Sequence, residues 1–289
     1  MVNNSVTGDG TPDPLRPSNA ITGGVAGTSV QAGAIHGSVH FHHDAAGGIP
    51  AIPRQLRPPP AHFTGRGREL AELDRIAGVR ERDGPALVVI SGPGGVGKSA
   101  LALRWLHGVI DHYPDCQLYV DLAAGQPLIS VLGGFLRALG IAAERVPVEV
   151  GEAASLFRSL TAGKRIAVLI DNAGSAAQVR TLLPASALSV VVVATRWRLG
   201  GLVMDGAAFL PVGPLPAAAG AELLERAVGG SRLAHEPDAV ARLVELCGGL
   251  PLALAIVGAR LAMRPDRPIA GVAQELTDEI GRASCRERV

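Results

Sequence analysis

Lysine is nearly absent from this chain: among 27 basic residues only Lys98 and Lys164 are lysine. Basic and acidic residues almost balance, for a formal net charge of +1, so no global field favours nucleic acid or an anionic membrane. Aromatic residues make up 3%, which leaves no interleaved aromatic and basic pattern of the kind that stacks bases. Three cysteines, Cys116, Cys247 and Cys285, have neither metal-ligand nor disulfide-framework spacing, as expected of a reducing compartment. No apolar run approaches the ~20 residues a spanning helix requires, and the N-terminus has no basic segment followed by an apolar core. These absences point to a soluble cytoplasmic chain with no membrane partner and no direct nucleic-acid signal.

What is present is a 47% hydrophobic composition over 289 residues, enough for one large or two smaller cores. The apolar residues are unevenly placed. Residues 1–60 are rich in Gly, Pro, Ser, Asn and His and read as a flexible arm, closing in a stiff connector with Pro50, Pro53, Pro58, Pro59 and Pro60. From residue 61 to 213, short apolar runs alternate with helical patterns. Strands are expected at Ala86 to Ile90, Gln117 to Asp121, Arg165 to Asp171 and Leu188 to Ala194, with helices around residues 70–76, 128–139 and 153–160. Runs apolar on both faces and separated by helices predict an α/β fold with a parallel sheet covered on both sides. Residues 214–278 turn wholly helical, with candidates at 217–227, 237–247 and 250–263, and predict a small helical subdomain.

The chemistry concentrates after the first strand. Gly92, Pro93, Gly94, Gly95, Val96, Gly97, Lys98 and Ser99 fit G-x-x-x-x-G-K-[ST] at every fixed position and lead into a helix that begins near Lys98, with Ala100 also expected at the nucleotide. Backbone amides of such a loop and the helix N-terminus wrap a phosphate chain. Lys98 is expected to reach the β- and γ-phosphates, and Ser99 to offer its hydroxyl to Mg²⁺. Asp171 closes the run Ile166 to Ile170, on a strand expected beside the P-loop strand, where a carboxylate holds the Mg²⁺ shell. A P-loop NTPase using ATP or ADP with Mg²⁺ is the expectation.

Five ordered segments carry a resemblance: Phe63-Thr64-Gly65-Arg66, the P-loop, Leu169-Ile170-Asp171-Asn172, Ala194-Thr195-Arg196 and Gly248-Gly249-Leu250-Pro251-Leu252-Ala253. Together they resemble the NB-ARC branch of the signal-transduction ATPases with numerous domains, over roughly residues 61 to 265. The resemblance implies a nucleotide clamped between an ATPase core and an ARC-like helical subdomain, with exchange of ADP for ATP driving self-association and signalling. It implies Phe63, Gly65 and Arg66 beside adenine and ribose, Arg196 sensing the terminal phosphate, and Pro251 against the nucleotide. Lys98, Asp171 and Arg196 would be the catalytic set. Two departures stand out. Asn172 occupies the place of a frequent second acid and cannot act as a base, which implies slow hydrolysis. Gly67 follows Gly65-Arg66 where the family commonly has an acid, and Glu69 comes only later.

Both ends differ from this core. Residues 19–41 alternate small or polar residues with Ile, Val and Phe and resemble bacterial amyloid signalling motifs, which implies an effector recruited through the arm by stacked strands. His36, His40, His42 and His43 lack acid or Cys partners for a metal. Residues 279–289 read as the translation of a sequencing adapter, so that the natural protein would be longer. Two other functions remain open at this point: the ATPase core of a transcriptional regulator whose DNA-binding domain lies elsewhere, and a metabolic P-loop kinase or hydrolase.

Overall fold

Five parallel strands form the centre of the molecule. The computed structural model describes residues 52–78, 83–123 and 125–286 of the 289-residue chain. In chain order these form α1 (Gly67–Ala77), β1 (Ala86–Ser91), α2 (Lys98–Gly108), β2 (Cys116–Asp121), α3 (Leu128–Ala138), α4 (Val150–Thr161), β3 (Ile166–Asp171), α5 (Ala176–Thr181), β4 (Val190–Thr195) and β5 (Ala208–Pro211). The helical part follows, with α6 (Ala217–Val228), the single turn α7 (Gly230–Leu233), α8 (Pro237–Leu246), α9 (Pro251–Ala262) and α10 (Ile269–Arg286). The sheet order is β2-β3-β4-β1-β5, and all four pairings are parallel. No helix among the described residues is long and apolar enough to cross a membrane. The histidine-rich arm and the amyloid-like segment 19–41 lie outside the described residues.

The strands are buried because alternate residues serve two cores. On one face Leu87, Val89, Val168, Ile170, Val191 and Val193 pack with Leu132, Phe135 and Phe157 from α3 and α4. On the other, Val88, Ile90, Leu169, Val190 and Val192 pack with Leu73 of α1 and with Leu101, Trp105 and Leu106 of α2. A third core, around Leu224, Leu243, Leu254, Leu261 and Ile269, belongs to the helical part alone. There α6 and α9 approach closely at Gly258, where a Cβ would stand 3.0 Å from that of Ala227.

The expected strands and principal helices are present, within a residue or three at their ends. Three features differ from expectation. The strand of Asp171 does not lie beside the P-loop strand: β4 is inserted between β3 and β1, with Ile90 level with Ala194, and Ala194 level with Asp171. Both β3 and β4 are buried on both faces and suit the interior of the sheet, so the insertion of β4 is a tertiary outcome rather than one of strand pattern. The short β5 hydrogen-bonds the other side of β1 through Val88 to Ser91; its four residues expose Phe209 and Pro211 and carry no sustained apolar run. The end of the proline-rich connector is not a free linker. Pro53 to Gln55 pair with β2, Gln55 N–H donating to Gln117 O at 2.9 Å and Gln117 N–H to Pro53 O at 2.8 Å. At the other end, α10 runs unbroken from Ile269 to Arg286.

Candidate functional site

Every strand that contributes chemistry ends at the same edge of the sheet. The pairing sets Ser91 level with Thr195, and Asp121 level with Asp171, so the loops that follow emerge together. Ligands of open parallel sheets bind outside this carboxyl edge, where successive connections diverge. Here β1 leads through α2 to β2 at the far edge, while β4 leads to β5 on the opposite side.

The P-loop spans β1 and α2. At Gly92 a side chain fits only if β5 shifts, since a Cβ would stand 2.2 Å from Val212 O, just beyond β5. Val212 N–H donates to Ser91 O at 2.7 Å, so β5 fixes the start of the loop from outside. Lys98, the first residue of α2, is 8% exposed and folds back over the loop, its ammonium donating to Gly92 O at 3.0 Å and Pro93 O at 2.8 Å. Burial pushes its pKa below the ordinary lysine value, the positive charge of Arg196 pushes the same way, and Asp171 opposes both. Arg196, just past β4, brings its guanidinium against Gly94, 3.5 Å from where a Cβ would sit. Two cations thus face the loop, and the helix N-terminus adds its partial positive charge.

A cavity of about 630 Å³ opens beside this loop. Phe63, Arg66, Gly94 to Ala100 and Arg196 line it from the sheet side, and Pro251 from the helical side. Gly65, Gly92, Pro93 and Asp171, also expected at the site, do not line it. Gly65 faces the helical half, where a Cβ would meet that of Ala219 at 2.9 Å, and Gly92 and Pro93 supply the carbonyls that hold Lys98. Arg66 is buried, with φ +65°, and its guanidinium donates to Val96 O at 3.1 Å, Gly213 O at 2.7 Å and Glu69 Oε1 at 2.8 Å. It therefore ties the P-loop to the chain entering the helical half, with Glu69 as its counter-ion. Asp74 on α1 accepts from Trp105 Nε1 on α2 at 2.8 Å, which holds the Phe63 to Arg66 loop in register with the P-loop.

The carboxylates lie one step to the side. Asp171 is 3% exposed; its Oδ1 accepts from Asn172 N–H at 3.0 Å and its Oδ2 lies 3.8 Å from the Arg57 guanidinium. Asn172, which does line the cavity, has φ +55°, a conformation Asn tolerates better than most residues, and its amide donates to Asp121 Oδ1 at 2.8 Å. An acid at this position would set a second carboxylate against Asp121, which gives the substitution a structural reason. Asp171 and the Ser99 hydroxyl are hard oxygen donors of the kind Mg²⁺ takes. Among the described residues no group of three or more His, Cys, Asp or Glu side chains is placed to hold a metal ion.

The helical wall was largely invisible in the motifs. Leu252, Ala255 and Ala259 recur on one face of α9, and Leu223 and Ala227 on α6. Their spacing was available as an i, i+4 pattern, but alanine on a helix face carries no ligand signal. His62, beside Phe63, also lines the cavity and stood outside the expected set. Contact between the halves is sparse and specific: Leu252 N–H donates to Gly95 O at 3.2 Å, Pro251 rests against Gly97, and Thr64 Oγ1 donates to Ala219 O at 2.9 Å.

Residues 62–256 match the family described as AAA ATPase domain. The chain is similar to the regulatory protein AfsR of Streptomyces griseus, 39% identical over 232 residues that cover 78% of this chain and 24% of that protein. The AfsR protein of Streptomyces coelicolor is likewise 39% identical, over 236 residues, with the same coverage. This chain therefore spans about a quarter of the length of the curated relatives it matches. Among solved structures the ORC2 protein of Aeropyrum pernix shares the fold, with a TM-score of 0.54 at 18% identity over 78% of this chain and 70% of that one.

Proposed function

The chain belongs to the AAA ATPase domain family, and from that premise we propose that it is a nucleotide-operated switch of the signal-transduction ATPase type, binding ATP or ADP with Mg²⁺ between its sheet and helical halves. The observation that carries this reading is the composite cavity, with two cations and a P-loop on one wall and the Pro251 end of α9 on the other. A polyphosphate fits the Lys98 and Arg196 side, and the apolar wall of Phe63, Leu223, Ala255 and Ala259 fits a flat base. The ORC2 structure of the same fold is described as ADPNP and ADP complexes, which agrees with an adenine nucleotide.

In this reading Lys98 binds the β- and γ-phosphates, Arg196 meets the terminal phosphate, and Ser99 with Asp171 holds Mg²⁺. The cation, when bound, neutralises charge on the phosphates and orients them. Asn172 is committed to Asp121 and has no basic group to activate water, so turnover is slow and the nucleotide persists as a signal. Gain or loss of the terminal phosphate acts on Arg196 on one side and, through Gly95 and Leu252, on α9 on the other. Self-association and effector recruitment through the arm would read out that change, in the cytoplasm.

The AfsR relatives favour a second reading, the ATPase core of a transcriptional regulator, since both are described as regulatory proteins and extend well beyond the matched part. It shares the switch chemistry and differs in the effector. The test is single-turnover hydrolysis of pre-bound ATP combined with light scattering. A switch retains nucleotide for many minutes and changes size with ADP against a non-hydrolysable ATP analogue. Rapid multiple turnover stimulated by a small-molecule phosphate acceptor would instead favour a metabolic kinase.

A further inference from the structure

Arg57 stands where an arm residue meets the acidic end of the sheet. The segment before it is pinned along β2 by the two backbone hydrogen bonds of Gln55 and Pro53 with Gln117, which set Arg54 level with Gln117. Leu56 packs into the core face beneath α1 and α2, and Arg57 O accepts a hydrogen bond from His107 Nε2 at 2.8 Å. This path delivers the Arg57 guanidinium over the Tyr119 ring, 4.7 Å from its centroid, and to 3.8 Å from Asp171 Oδ2.

Asp171 has no other side-chain partner among its hydrogen bonds and ion pairs in the described residues; its second oxygen takes only the Asn172 N–H. A divalent cation held by Asp171 and the Arg57 guanidinium beside the same carboxylate carry like charge and would repel each other. The Arg57 side chain is 55% exposed and meets Asp171 at charge-pair rather than hydrogen-bond distance, so its hold is weak.

We infer that Arg57 and Mg²⁺ compete for Asp171, so that binding of Mg²⁺ with nucleotide releases Arg57 and loosens the 53–57 segment from β2. This rests on the reading of the cavity as a Mg²⁺-nucleotide site. It makes the root of the N-terminal arm sensitive to the occupant of the site through Asp171. Arg57 is a positioning residue here and takes no part in chemistry.

The test uses the 289-residue chain and a fluorescent ADP analogue, titrated with MgCl₂. In Arg57→Ala the Mg²⁺ concentration for half-maximal tightening falls about two- to fivefold, the range of an exposed ion pair. Arg54→Ala, which removes a charge from the same segment without touching Asp171, leaves the midpoint in place. Hydrogen exchange supplies the independent readout. Adding Mg²⁺ to the ADP-loaded wild type speeds exchange at the Gln55 amide, whereas in Arg57→Ala that amide is already fast and does not respond. An unchanged or raised Mg²⁺ midpoint in Arg57→Ala, or a Gln55 amide indifferent to Mg²⁺ in the wild type, overturns the inference while leaving the nucleotide site intact. Failure of the wild type to bind the analogue at all would overturn both.

Discussion

The two walls of the cavity are made of different material. The sheet wall is polar and fixed: Lys98, Arg66 and the loop carbonyls form a closed set of hydrogen bonds on a scaffold buried on both faces. The helical wall is apolar and self-contained, with its own core and a handful of contacts to the sheet half. Independent cores joined by few bonds are the arrangement in which one half moves against the other at low cost. On the proposed function the difference separates two tasks: the sheet wall would decide what binds and the helical wall would register that it has bound.

Filling the cavity from the helical side should break the comparison most strongly. Ala255→Trp places an indole where the base is proposed to lie, and ADP affinity should fall by roughly a hundredfold or more, the scale of a lost apolar subsite. The melting temperature without nucleotide should barely change, because Ala255 is exposed on α9. Next in size is Gly92→Ala, whose methyl would meet Val212 O at 2.2 Å and force β5 away from β1. Urea denaturation should show a loss of about 2–4 kcal/mol, in the range of overpacking with backbone displacement.

Arg66→Ala should then sharpen the link between the walls. It leaves Val96 O and Gly213 O without their donor, costing about 1–3 kcal/mol, and limited proteolysis should cut near residue 213 sooner than in the wild type. A smaller effect is expected from pH. Because burial and Arg196 depress the Lys98 pKa, the ammonium loses its proton below the ordinary value of 10.5. ADP affinity should therefore decline on the alkaline side before that value is reached, and in Lys98→Arg the decline should disappear, since arginine keeps its charge. The smallest concerns only the helical half. Glu236 caps α10 by accepting from Ile269 and Ala270 N–H, both at 2.9 Å, and those bonds hold its carboxyl below the usual value. Its contribution is present above that value of 4.5 and is lost as pH falls through the depressed one. Protection of the Ile269 and Ala270 amides, taken relative to the intrinsic exchange rate at each pH, should fall in acid, and in Glu236→Gln should already be low at neutral pH.

The same contrast explains what could be seen in the sequence. The sheet half announces itself because a P-loop and doubly buried strands demand residue types at fixed spacings, as in Gly92 to Ser99 and Val190 to Val193. The order of the strands was less legible. The sequence marks β3 and β4 alike as buried, and the pairing of Ala86 to Ser91 with Val190 to Thr195 rather than with β3 is a tertiary outcome. Hidden as well was β5, whose pairing with β1 compensates for a weak intrinsic pattern. Arg57 was obscured by the prolines around it, which read as a connector; Pro53 needs only its carbonyl to join β2, so its missing N–H is no obstacle. On the helical wall, Pro251 was legible from the Gly248 to Ala253 segment, whereas Ala255 and Ala259 line the cavity with small side chains that carry no pattern of their own.

The most direct measurement of the central claim is calorimetric titration of the chain with ADP in Mg²⁺, for the wild type and Lys98→Ala. The account predicts one site per chain in the wild type and a loss of at least about tenfold in affinity on removing the charge-assisted contacts of Lys98. Equal affinity in the two proteins, or no binding by the wild type, would contradict it.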